Sequence, residues 1–191
     1  HDLEPNIKPI YHGGVYYQYG RHARNPRKIL LKLYDLFLKK GGKFLKLNIK
    51  DINFDEEKPI LKSENQSFIF DKTVIACGSF SKKLTENLDE KIPLDTERGY
   101  HVHFKDCDHL LSRPVIFQNR GFGITPMEQG LRVVGTVEFG GLNNPLSKAR
   151  INNLINNAKY MMGNLPEHED EWLGFRPTLP DYLPVIGPSK K

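Results

Sequence analysis

The 191-residue sequence predicts an α+β fold, and three features carry that prediction. A well-punctuated amphipathic helix begins at Pro26, and the run Tyr100-His101-Val102-His103-Phe104 alternates with the period of a half-buried strand. The third feature, Thr73-Val74-Ile75-Ala76-Cys77, is a continuous apolar run closed by Gly78, the pattern of a strand covered on both faces. Together they predict an antiparallel β-sheet with helices on one face, plus part of an α/β layer.

Each element has its own punctuation. Val15-Tyr16-Tyr17-Gln18-Tyr19 lies between glycines and reads as a strand. In the helix that follows, Asn25 is placed to cap the first turn and Pro26 suits the first helical position. Ile29, Leu30, Leu33, Leu36 and Phe37 share one face. Gly41-Gly42 ends it by supplying a left-handed turn. Phe44 to Leu47, with Ile49 and Ile52, reads as strand, and Pro59–Lys62 and Ser67–Phe70 flank the polar turn Ser63-Glu64-Asn65-Gln66 as a hairpin. In the second half, Val115–Phe117, Phe122–Thr125 and Leu131–Val137 join the Tyr100–Phe104 strand in a near-meander. A second helix runs from about Leu146 to Met162 and stops at Gly163. The Pro- and Gly-rich tail Trp172–Pro188 reads as an ordered loop with a short strand at Pro184–Gly187.

Composition narrows the function classes. Charged residues make up 27% and mean hydropathy is −0.52, with no apolar run long enough to span a bilayer. Two cysteines are too few for a disulfide scaffold, which favours a reducing compartment, and residues 1–9 hold no apolar signal-peptide core. A start at His1 and a stop at Lys191, just past a strand-like run, predict a fragment. Residues 1–50 hold 11 Lys+Arg against 3 Asp+Glu, yet their aromatics are not interleaved along a groove, so a solvated helix face explains the charge better than nucleic acid does. A cytoplasmic location is expected, and the basic quarter permits peripheral contact with the inner membrane in the full-length protein.

Two clusters could carry chemistry. His101-x-His103 followed by Cys107-x-His109 offers zinc-type ligands, but the spacing fits no standard zinc module and a polar strand face explains it equally well; no metal is expected. Cys77 sits in an apolar run and is expected to be a packed, inert thiol. No glycine-rich phosphate loop of either common pattern occurs. The sharper signal is Trp172-Leu-Gly-Phe-Arg-Pro-Thr-Leu-Pro-Asp-Tyr-Leu-Pro-Val-Ile-Gly187, in which Arg176 offers a planar two-point fork for a carboxylate. An internal ion pair is the plainer role for the same side chain.

That tail resembles the W-x-G-x-R-P-x-x-P-D-x-x-P-x-I-G signature of the FAD-dependent amino-acid oxidases and dehydrogenases, the glycine oxidase and D-amino-acid oxidase type. Val74-Ile-Ala-Cys-Gly-Ser-Phe-Ser-Lys-Lys-Leu84 is similar to the family's segment beside the flavin nucleotide, and Gly20–Pro26 and Gly41–Ile49 to the surroundings of its central helix. Leu94–Val102 and Ile124–Glu138 look closest to bacterial D-amino-acid dehydrogenases. The family's opening G-x-G-x-x-G strand–helix unit and its closing glycine-rich flavin segment have no counterpart in the sequence.

The resemblance implies a division into an entry strand and loop at 1–25, the middle of an FAD-binding domain at 26–92, a substrate-binding domain at 93–170 and a return segment at 171–191. It implies that Arg176 binds the substrate carboxylate, that Phe122, Ile124 and His101 line the substrate pocket, and that Ile49, Ala76, Cys77 and Gly78 meet the nucleotide. No side chain is expected to act as a catalytic acid or base, because a bound neutral amine needs only to be oriented for hydride transfer to flavin. The implied reaction, in the full-length protein, converts a D-amino acid to the 2-oxo acid and ammonia. Sarcosine, glycine or a hydroxy acid as substrate, or a ligand-binding module without catalysis, are the alternatives. FAD is expected in the full-length protein and not in the isolated chain, which is expected to be inactive and to self-associate.

Overall fold

The computed structural model describes residues 2–189. The chain forms two compact units. One comprises residues up to Gly41, Gly99–Glu138 and Asn144–Gly174; the other comprises Gly42–Arg98, Phe139–Asn143 and the residues from Phe175 onward. The units divide the chain elsewhere than the resemblance does, since residues 26–41 fall in the first.

In the first unit, helix α1 (Pro26–Lys39) forms as its punctuation predicts. Asn25 Oδ1 accepts from the Lys28 amide at 3.0 Å, and Gly41 takes the left-handed φ of 87° that follows the last turn. Lys28 pairs with the Glu128 carboxylate and the Asn25 amide donates to it at 2.6 Å, and these partners lower its pKa. No residue of α1 is buried: Ile29, Leu30, Leu33, Leu36 and Phe37 face solvent.

The larger sheet has the order β5-β6-β7-β4-β8, from β4 (Asp95–Lys105), β5 (Val115–Phe117), β6 (Phe122–Met127), β7 (Gly130–Phe139) and β8 (Asp170–Thr178). Strands β6 and β7 pair antiparallel from Phe122 opposite Gly135 to Met127 opposite Gly130. The alternation in β4 sends Tyr100, Val102 and Phe104 into a core shared with Ile124, Leu131 and Val133. Helix α3 (Lys148–Met162) closes that core with Ile151, Leu154, Ile155, Ala158 and Met161, its buried stripe at helical spacing. Glu4 anchors the N-terminal segment by accepting from the Ser112 amide and hydroxyl and from Arg113.

The second unit holds the antiparallel sheet β1 (Asp51–Asp55), β2 (Lys58–Lys62) and β3 (Ser67–Ile69), and the short helix α2 (Ser81–Glu86). Its core is small: Ile52, Leu84 and Leu88, with Ile49, Leu61 and Ile75 packed alongside.

Several expected strands do not form. Residues 15–19, 44–47, 73–77 and 184–187 are irregular, and Val74 is 86% exposed. A strand is held by ladder partners, and a doubly buried one also by layers on both faces; none of the described residues supplies these to the four segments. Cys77 is accordingly exposed and not a packed thiol. In the opposite sense, the tail read as a loop forms strand β8 through Thr178.

Candidate functional site

In the second unit Arg176 on β8 meets Glu97 on β4, with Nη1 donating to Oε2 at 2.8 Å. The pair is lopsided: the Glu97 side chain is 7% exposed and that of Arg176 63%. The guanidinium therefore keeps most of its donor edge in solvent while one nitrogen is anchored.

Ser79 ties this pair to the segment expected at the nucleotide. It lies in the 3₁₀ turn Gly78–Phe80, and its buried hydroxyl lies 3.2 Å from both Phe175 O and Thr96 Oγ1. Phe175 and Thr96 are the immediate chain neighbours of Arg176 and Glu97. Phe80 packs edge-on to Phe175, with centroids 6.0 Å apart. The sequence alone gives Ser79 no visible role, because a serine in a glycine-containing turn carries no periodic signal.

The four residues assigned to the nucleotide lie in the same unit. Ile49 and Ile75, the residue before the Ala76–Gly78 turn, pack against the same small core of Ile52, Leu84 and Leu88. Ala76, Cys77 and Gly78 are exposed, and Gly78 has the left-handed φ of 56° with open space where a Cβ would stand. The Cys77 amide donates to Ser81 Oγ at 3.0 Å. An open, glycine-containing backbone turn fits close approach by a flat nucleotide. The residues from 1 to 191 include no glycine-rich cradle for a pyrophosphate.

The other substrate-side candidates, Phe122, Ile124 and His101, fall in the first unit and divide by strand face. Phe122 and Ile124 are core residues at 3% and 0% exposure, and Phe122 stacks on Phe117 at 4.7 Å. Their side chains fill the interior instead of lining an open pocket, because alternation along β6 turns positions 122 and 124 toward α3. His101 projects from the opposite face of β4, where its ring lies parallel to Trp172 at 4.6 Å and edge-on to His103 at 5.2 Å. Arg132 Nε donates to His103 Nε2 at 3.1 Å. Burial first, then the Arg132 charge and His103, push the His101 pKa down to about 4, and burial and Arg132 lower that of His103 as well. The two histidines are thus neutral at pH 7. Cys107 is buried with its thiol directed to Phe104 O at 3.0 Å, and burial pushes its pKa up. Among the described residues no three His, Cys, Asp or Glu side chains gather as metal ligands.

An antiparallel sheet with a flanking helix, a second small unit of antiparallel strands and one short helix, and an arginine tied through Ser79 to a glycine turn fit the class that the family comparison shows, a flavin-dependent oxidoreductase domain. The whole chain, residues 1–191, matches the family model described as FAD dependent oxidoreductase, and it belongs to that family. It is 28% identical over 193 aligned residues to a protein of Bradyrhizobium diazoefficiens named D-amino-acid oxidase, covering 98% of this chain and 46% of the relative. It is also 28% identical to a D-amino acid dehydrogenase of Vibrio atlanticus, over 70% of this chain and 36% of that protein. The fold is that of glycine oxidase from Geobacillus kaustophilus, with a TM-score of 0.67 at 22% identity over 78% of this chain and 40% of the other. It is likewise that of L-proline dehydrogenase from P. horikoshii, with a TM-score of 0.73 at 16% identity over 86% and 47%. The chain spans less than half the length of these two curated relatives. Among the described residues no helix is long and apolar enough to cross a membrane.

Proposed function

We propose that the full-length protein oxidises a D-amino acid to the 2-oxo acid and ammonia, with Arg176 holding the substrate carboxylate. The observation that carries this reading is the Ser79 junction, which joins the backbone beside Arg176 to the Gly78 turn in one unit. The names of the relatives support the D-amino-acid assignment.

FAD, when bound, supplies the two-electron acceptor for this reaction. The exposed turn Ala76–Gly78 and the Ile49 side chain would hold its nucleotide end. Arg176 would dock the carboxylate through two parallel N–H donors, which fixes Cα in one orientation. Release of the imino product to water then completes hydrolysis to the 2-oxo acid. No residue of the chain is assigned as acid or base.

The division into an FAD-binding section at 26–92, a substrate-binding section at 93–170 and a return segment at 171–191 belongs to this proposal. So does self-association of the isolated chain through the solvent-facing stripe of α1. The solved neighbours named glycine oxidase and L-proline dehydrogenase favour a second reading, in which glycine, sarcosine or proline is the substrate. A substrate panel on the full-length enzyme separates the two. Arg176→Ala tests both: kcat/KM should fall by about 1.5–3 kcal/mol of transition-state stabilisation, and an unchanged value removes Arg176 from the site.

A further inference from the structure

We propose that Glu97 is a positioning residue that sets which edge of the Arg176 guanidinium meets the substrate carboxylate. The inference rests on the reading of Arg176 given above and assigns a role to a residue that carries none in the sequence resemblance.

The geometry has three parts. First, the contact is one-point. Among the described residues Glu97 Oε2 accepts from Nη1 alone, at 2.8 Å, and the Arg176 carbonyl separately accepts from the Thr178 hydroxyl at 3.4 Å. The Nε–Nη2 edge is therefore the one left for a carboxylate, and that edge is a two-donor fork. Second, the anchor is the buried partner: the Glu97 side chain is 7% exposed and that of Arg176 63%. A carboxylate buried to that degree is costly without a donor, so the pair holds the guanidinium instead of trailing with it. Third, the frame is stiff. Ser79 Oγ bonds both Thr96 and Phe175, the chain neighbours of the pair, so neither strand can carry its residue away from the other without breaking that bridge.

Pairing also limits how a ligand can approach. With Nη1 held by Glu97, binding depends on matching the remaining two-donor edge. The site then discriminates a planar carboxylate from its uncharged amide through geometry.

Reach and charge can be separated. Glu97→Gln keeps an oxygen at the right distance to accept from Nη1 and loses the charge; Glu97→Asp keeps the charge and falls one methylene short. The experiment uses the full-length enzyme and measures kcat and KM for D-alanine and D-alaninamide in wild type, both Glu97 variants and Arg176→Ala. In parallel, phenylglyoxal labelling of Arg176 is followed by peptide mass with and without acetate, a readout that needs no turnover. Glu97→Asp should raise KM for D-alanine about tenfold with kcat within about twofold, leave the amide unaffected, and abolish acetate protection, the scale set by one hydrogen bond to a charged group. Glu97→Gln should stay within about threefold of wild type and remain protected. Wild-type behaviour of Glu97→Asp, or equal losses in both variants, overturns the positioning role. If Arg176→Ala leaves the acid-to-amide ratio unchanged, the reading of Arg176 falls and this one with it. If Arg176→Ala collapses the ratio while Glu97→Asp does not, only the role of Glu97 is lost.

Discussion

The His101 imidazole lies flat against the Trp172 indole, with ring centroids 4.6 Å apart and planes 16° from parallel. A protonated imidazole would gain from the indole face, yet burial and the neighbouring Arg132 charge outweigh that gain and hold the ring neutral.

The pH dependence follows from that shift. The folded pKa of about 4 lies below the unfolded value of 6.5, so the unfolded chain takes up the proton first. The contribution of His101 to stability is complete above pH 6.5 and is lost as pH falls from there toward 4. Thermal midpoints measured across that window should drop further in wild type than in His101→Gln. The His101 ring resonance should still report the neutral form at pH 5.

Gly174 is small for a reason visible in the same cluster. A Cβ built there would fall inside the indole ring of Trp172. Gly174→Ala must push the ring off its seat and away from His101. Difference fluorescence against Trp172→Phe should show red-shifted emission, and overpacking should cost about 1–3 kcal/mol in thermal unfolding.

Arg176→Lys preserves the charge and discards the fork. KM for the D-amino acid should rise by roughly tenfold or more, since an ammonium cannot both reach Glu97 and offer two parallel donors to a carboxylate. Steady-state kinetics on the full-length enzyme checks it, and wild-type KM would contradict the two-point geometry.

The core of the first unit makes a simpler prediction. Phe104 is fully buried between the sheet and α3, so Phe104→Ala should cost about 3–5 kcal/mol in denaturant unfolding, without a direct effect on carboxylate selectivity.

Residues 1–191 alone should form no tight complex with FAD. They offer the turn at Ala76–Gly78 and lack a glycine-rich pyrophosphate cradle. Titrating FAD into the isolated chain and desalting should leave a colourless protein; a retained yellow complex would overturn the expectation.

Where a residue's environment is local, the sequence was readable. The cap at Asn25, the stripe of α3 and the alternation of Tyr100, Val102 and Phe104 each depend on neighbours a few positions away, and each forms as expected. The runs at 44–47 and 73–77 have strand composition but need ladder partners that the described residues do not provide, so composition overstated them. Among site residues, Arg176 was legible through the signature around it. Glu97 was not, because a buried acid looks like any surface acid until its partner from 79 residues away is in place. Phe122 and Ile124 were placed by resemblance to a pocket strand, and the strand face decides otherwise.

The Ser79 bridge also has a consequence for biosynthesis. Its partner Phe175 lies 96 positions later in the chain, so at about 5–20 residues per second the ribosome needs roughly 5–20 s to deliver it. Through that interval the Ser79 hydroxyl lacks the Phe175 carbonyl and the Phe80 ring lacks its edge-on partner. A programmed pause in translation between codons 80 and 175 would lengthen the wait, and a chaperone that clasps apolar segments would find its opening there.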